Sequence, residues 1–276
     1  MASVPPRTLG LTASEAAAFD AFVVPRYLAL FGELVLDAFV LGNDAQILHV
    51  NCRSGYPDRA IVAMLANAYM YGVDPSPAAL ELARTKAAQK AGMVAEYTVA
   101  DSFPLPFPDG AFSHAFTMHP LPAPKERQRV LAELARVTAP GGQAILAMPV
   151  RGSFQEVADL LREYALKHES SEVANAVEAA VQVRPTRESL VTEMERAGFG
   201  WVDVEVKQRT LKFKDGHDFF DDPITRLLLL PEFRLNLGLD DTSAPMDYLR
   251  EAIDAYFRPG GFELGVQAGC VTGRKK

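Results

Sequence analysis

Between residues 46 and 150, five short apolar runs follow one another: "AQILHV", "YMYGV", "AEYTVA", "AFSHAFTM" and "QAILAMPV". Stretches of helical periodicity, "PDRAIVAMLAN", "SPAALELARTKAAQKAG" and "APKERQRVLAELARVTAPGG", lie between most of them. This alternation is the strongest constraint on the fold. Strands joined through crossovers pair in parallel, and a parallel sheet must cover both of its faces with helices. A doubly wound α/β core is expected. Local signals agree: Pro57 falls at or near the first turn of its helix, Ser76 is placed to cap the next one and Gly92 to stop it.

The flanks are read in the same way. Thr12 or Ser14 can cap a first helix with "SEAAAFDAF" as its body, and Pro25 opens a second, "RYLALFGELVLDAF". After Val150, "GSFQEVADLLREYALKH" and "SSEVANAVEAAVQ" read as a helical insertion. "TRESLVTEMERAGFG" is a helix capped by Thr186, "WVDVEVKQRTLKF" alternates as a long strand, "MDYLREAIDAYF" is a helix and "GFELGVQAGCVTG" a final strand. The apolar run "TRLLLLPEFRLNLGL" is expected to be core or a lid over a pocket. The expected organisation is one domain over residues 1–276. It has N-terminal cap helices in 1–40, a cofactor-type core in 41–150, a helical insertion in 151–185, and the rest of the core in 186–276 with a cap segment at 215–257.

Composition narrows the function. A length of 276 residues with 49% hydrophobic and 23% charged residues suits one large domain or a domain with an added cap. A net charge of −7 gives no bulk attraction for nucleic acid. Cys52 and Cys270 form neither a CxxC pair nor a zinc spacing, and His114 and His119 lack a third ligand, so no metal centre or disulfide framework is expected. The first residues lack the basic-then-apolar signature of a secretory signal. The longest apolar run is interrupted by Pro25, Arg26, Glu33 and Asp37, too often for a membrane span. The expectation is a cytoplasmic protein with a small-molecule or protein partner and no nucleic-acid or membrane partner. There is no Gly-x-Ser-x-Gly elbow, no Walker loop and no dinucleotide fingerprint.

Ligands of doubly wound sheets bind at the carboxyl ends of the strands. Here those ends carry His49–Gly55, Asp74–Ser76, Asp101–Phe103 and Met118–His119. Asp74 lies 19 residues after Gly55, where a carboxylate can accept both hydroxyls of a ribose. Asp101 can accept an exocyclic amine, Phe103 can stack on a base, and His119 can face a substrate as a base or serve as a structural histidine.

These residues carry a resemblance. "GVDPSPAALELAR", "VADSFPLPFPDGAFSHAF" and "LAELARVTAPGGQAIL" resemble, in order, the motifs of class I S-adenosylmethionine-dependent methyltransferases. The similarity is to the methyltransferase type 11 branch that includes the ubiquinone and menaquinone methyltransferases. It implies a Rossmann-like, doubly wound, seven-stranded and mostly parallel sheet, with an antiparallel last strand and a helical cap. It implies S-adenosylmethionine as cofactor if the site is functional. The cofactor-binding positions would be His49, Asn51, Arg53, Gly55, Asp74, Pro75, Asp101, Ser102 and Phe103, with His119 as the one catalytic candidate.

The first motif departs from the family pattern of an acid followed by three alternating glycines. His49 replaces the acid, Asn51 and Arg53 replace the first two glycines, and only Gly55 matches. Arg53 stands where backbone should approach the methionine part of the cofactor. The expectation is that its guanidinium enters the cleft and pairs with Asp74 or Asp101; the alternative is a solvated loop arginine above an open pocket. Two functions follow: a pseudo-methyltransferase with an eroded cofactor site and a binding or regulatory role, or an active methyltransferase acting on a small molecule.

Overall fold

The computed structural model describes residues 10–120, 122–257 and 260–276; the first nine residues of the expected 1–40 cap, which also begin the stretch read as lacking a secretory signal, lie outside the described residues. Seven strands form one sheet: β1 (Gln46–Val50), β2 (Tyr69–Asp74), β3 (Val94–Val99), β4 (Phe112–Met118), β5 (Thr138–Pro149), β6 (Phe199–Phe213) and β7 (Phe262–Lys275). Their order is β3-β2-β1-β4-β5-β7-β6. The pairs among β1 to β5 are parallel, and β7 runs antiparallel to β5 and β6. The chain winds outward from β1 to β3, then returns to start again at β4. The crevice at this switch point opens at the carboxyl ends of β1 and β4.

Both faces of the sheet are covered, which is why its central strands read as continuous apolar runs. On one face Ile47, Met70, Phe116, Ile145 and Ala147 join a large core. That core is closed by α6 (Gln155–Lys167), α7 (Ser171–Val183), α10 (Leu230–Leu237), α11 (Ser243–Phe257) and the N-terminal helices. On the other, Leu48, Val73, Ala144 and Leu146 pack with residues of α5 (Pro124–Val137) and α8 (Arg187–Arg196). The run "TRLLLLPEFRLNLGL" is core: Leu228, Leu229, Phe233 and Leu237 are buried in the same cluster as Phe19, Tyr27 and Phe31.

Thr12 opens α1 (Ala13–Ala18) with a capping box. Its hydroxyl accepts the Glu15 N–H, and the Glu15 carboxylate accepts the Thr12 N–H at 2.9 Å. The expected break at Pro25 is absent. Helix α1 continues through a π-helical stretch, Phe19–Leu28, into α2 (Ala29–Ala38), with Pro25 inside the π stretch. The wider turn takes up a residue that offers no N–H and would clash in an α-helix. Two shorter helices follow β1 and β2: α3 (Asp58–Ala63) and α4 (Pro77–Ala88), the latter capped by Ser76. A further short helix, α9 (Gly216–Asp221), and a π-helical turn, Thr225–Leu229, lead into α10.

At the outer edge, β6 is bulged between Gly200 and Asp203. Trp201 sits in the bulge with φ 52° and is 91% exposed. Such a bulge, with Glu205, Lys207, Arg209 and Lys212 further along the strand, discourages edge-to-edge pairing.

Candidate cofactor site

The loop after β1 keeps a backbone suited to glycine. Asn51, Arg53 and Gly55 have φ of 57°, 49° and 73°. For a residue with a side chain this left-handed conformation costs roughly 1–2 kcal/mol, least for Asn. The loop is held from outside: the Cys52 N–H donates to Val73 O (3.0 Å) and the Gly55 N–H to Cys52 O (2.8 Å). A Cβ on Gly55 would meet the Ala83 methyl at 3.1 Å and the Tyr97 hydroxyl at 3.2 Å, so a side chain at that position would be crowded as well as strained by φ.

The Arg53 side chain turns inward, but the expected carboxylate pairing is not what it makes. Nη1 donates to Met118 O at 3.0 Å and Nη2 to His119 O at 3.2 Å. The guanidinium lies 5.5 Å from the centre of the Phe19 ring. Asp74 meets Arg53 through the backbone instead: Oδ2 accepts the Arg53 N–H and Oδ1 the Ser76 N–H, both at 2.9 Å. With both Asp74 oxygens satisfied by backbone, the guanidinium takes the carbonyls at the end of β4. Burial raises the Asp74 carboxyl above its ordinary pKa, with the Arg53 charge opposing. Asp101 is exposed and bonds only locally, to Ser102 Oγ at 3.2 Å. Pro75 is partly exposed in the turn after β2, and Phe103 packs against the cluster on the α5 face.

His49 belongs to a buried chain of polar groups. Its Nδ1 lies 2.7 Å from Asp58 Oδ1, and the Tyr97 hydroxyl donates to Asp58 Oδ2 at 2.8 Å. Its ring stacks on Phe116 at 4.1 Å. Burial, then the Asp58 charge, pushes the Tyr97 phenol far above its usual range. No sequence motif marks Asp58 or Tyr97 as members of this site.

A second chain starts at His119, whose φ is 52°. Its Nε2 is 2.8 Å from the Tyr27 hydroxyl and 3.8 Å from Glu232 Oε2. Glu232 in turn pairs with Arg184, whose guanidinium lies 4.7 Å from the Phe154 ring centre. Burial, reinforced by the charges of Arg53 and Arg184, holds His119 well below the usual imidazole range. Burial raises Glu232, with Arg184 opposing. Tyr27, Arg184 and Glu232 come from three distant segments, and nothing in the sequence links them.

This arrangement makes stability depend on pH. His119 and His114 both have lowered folded pKa values, mainly through burial. The unfolded chain therefore binds protons that the fold refuses, and stability is lost as pH falls below about 6.5. Asp74 and Glu232, with raised values, act in the opposite sense, above the ordinary carboxylate range. Going from pH 7.5 to 5.5 is expected to cost about 1–3 kcal/mol in urea unfolding; a flat profile would contradict the burial of neutral imidazoles.

The N-terminal helix closes over the loop. Ser76 Oγ donates to Leu11 O at 3.2 Å, Ser54 Oγ to Asp20 Oδ1 at 2.5 Å, and Lys86 Nζ to the same oxygen at 2.6 Å.

With this geometry in view, residues 48–146, from β1 to β5, match the family described as "Methyltransferase domain". Over this core the chain is similar to the class I S-adenosylmethionine-dependent methyltransferases. The chain is 30% identical to the demethylmenaquinone methyltransferase of Thermus thermophilus over 141 residues, covering 48% of this chain and 64% of that one. It spans less than two thirds of the length of the first curated relatives it matches. Among solved structures, the YcgJ protein of Bacillus subtilis shares 13% identity over 91% of this chain and 99% of its own, with a TM-score of 0.58. Phosphoethanolamine N-methyltransferase 2 of Haemonchus contortus, in complex with phosphomonomethylethanolamine and S-adenosylhomocysteine, shares 14% identity with a TM-score of 0.56. That match covers 97% of this chain and 59% of the Haemonchus one. At these identities the solved structures speak to the methyltransferase fold alone. Among the described residues no helix is long and apolar enough to cross a membrane.

Proposed function

We propose that this chain is a pseudo-methyltransferase: a methyltransferase fold whose cofactor place is filled by its own side chains and which serves a binding or regulatory role. The observation that carries this reading is the Arg53 guanidinium, tied to Met118 O and His119 O across the mouth of the switch point. In this arrangement the residues do not fit S-adenosylmethionine. A charged side chain stands where the methionine part belongs, and Asp74, 4% exposed, has both oxygens engaged by backbone N–H groups. The residues proposed for the former site remain His49, Asn51, Arg53, Gly55, Asp74, Pro75, Asp101, Ser102 and Phe103. The two buried free thiols, Cys52 and Cys270, fit a role in a reducing cytoplasm. In the same reading, segments 1–40 and 215–257 act as a cap on the 41–150 core.

Calorimetric titration with S-adenosylhomocysteine tests it. The wild-type protein should give no saturable heat at hundreds of micromolar ligand, and Arg53→Gly should gain measurable binding. Micromolar binding by the wild type would overturn the reading. The variant should also lose about 2–5 kcal/mol in urea unfolding. It forfeits two hydrogen bonds from a charged donor, each worth roughly 1.5–3 kcal/mol, and recovers about 1 kcal/mol of left-handed strain.

One observation favours the second reading, an active enzyme on a small molecule. The loop keeps three left-handed positions and Asp74 keeps its place, so moving one arginine side chain would reopen much of the site. Wild-type binding in the same titration would select that reading, with His119, directly after β4 and bonded to Tyr27, as its catalytic candidate.

A further inference from the structure

A second feature of the molecule does not depend on the fate of the cofactor. Between α6, α7 and α10 lies a cavity of ≈ 40 Å³. Phe154, Leu161, Val177 and Phe233 form much of its apolar wall, and Arg184 and Asn236 also line it. On this measure a single water needs about 10–15 Å³, so there is room for about three water-sized groups. Val181 and Asn236, partly exposed, stand at its rim.

Two polar atoms of this lining are anomalous. Arg184 Nε and Asn236 Nδ2 are buried and have no hydrogen-bond partner among the described residues. Buried polar groups are normally paired, and each exception asks for an explanation. Both atoms are donors only, so the missing group is an acceptor. Its charge is constrained as well. Arg184, the charged residue of the lining, is already paired with Glu232, so an added carboxylate would be in excess. A neutral carbonyl oxygen carries two lone pairs and no charge, and the small alkyl groups flanking it suit the apolar wall.

We propose that this cavity binds the carbonyl end of a small, neutral acyl compound, a ketone or an ester, with its oxygen accepting from Arg184 Nε and Asn236 Nδ2. The polar chain Arg184–Glu232–His119 runs from the cavity to the end of β4.

The test is a titration of the labelled full chain followed through the Arg184 Nε–H and Asn236 side-chain amide resonances. The probes are 2-butanone, methyl acetate, propionate and 2-methyl-1-butene, the last matching the ketone in shape but lacking the acceptor. Saturable shifts of both resonances at millimolar 2-butanone or methyl acetate are expected, and comparing these two arms separates a ketone site from an ester site. Propionate should bind at least tenfold more weakly, and the alkene should leave the Nε–H resonance in place. Val177→Phe should abolish the shifts by filling the space. Because that variant can fail to fold, Asn236→Leu at the partly exposed rim provides the second check, with at least fivefold weaker binding. No saturable shift with either carbonyl compound would mean that water alone satisfies the donors and would overturn the proposal. So would tighter binding of propionate, or shifts that persist unchanged in both variants.

Discussion

Asp58→Ala is expected to destabilise the fold by about 3–5 kcal/mol, the usual cost of removing one member of a buried, charge-bearing cluster. Asp58 is fully buried, and its two oxygens serve two partners, His49 Nδ1 at 2.7 Å and the Tyr97 hydroxyl at 2.8 Å. Alanine leaves both without a partner in a place that water does not reach. The second atom of the same imidazole, His49 Nε2, already lacks a partner among the described residues, so the ring would lose its last polar tether. Asp58→Asn keeps the shape and one acceptor oxygen and should lose roughly half as much. Equilibrium urea unfolding of the three proteins checks this; a loss below about 1 kcal/mol for the alanine variant would show that the chain of groups is not formed as described.

Glu232→Gln is expected to cost a similar amount, about 3–5 kcal/mol, by stranding the Arg184 guanidinium without its counter-charge. Both side chains are about 93% buried, so solvent cannot take over the lost role. The contrast lies in the double replacement. Glu232→Leu with Arg184→Met removes both charges and substitutes apolar volume, which in buried pairs is often neutral or better. Most of the single-variant loss should therefore be recovered. If the double variant is as unstable as the single one, Arg184 matters through its contact with Phe154 rather than through its charge.

The sheet was readable because its signals are local and repeated. Alternation of apolar runs and amphipathic helices fixes parallel pairing, and Thr12, Ser76 and Thr186 cap the helices they precede. The continuous N-terminal helix was not readable, because Pro25 ordinarily ends a helix and only tertiary packing of Val23, Val24, Tyr27 and Leu28 keeps a π turn around it. In the candidate site, Asp74 and the loop after β1 stand where the motif order puts them. The destination of Arg53 is not legible there, since the sequence shows the acids nearby but not that backbone N–H groups satisfy Asp74. Tyr27, Asp58, Tyr97, Arg184 and Glu232 carry no spacing signal at all. They meet only once distant segments are packed, so no reading of one segment could bring them together.

The bulge that turns β6 away from edge pairing has a practical consequence. It carries the chain's single tryptophan, and that indole is 91% exposed in the native state. Its fluorescence emission is already that of a residue in water, so unfolding of the core will barely change it. Every stability comparison above has to be followed by circular dichroism or calorimetry. In return, Trp201 is a silent reporter of the fold and a sensitive one for anything that docks on the edge of the sheet.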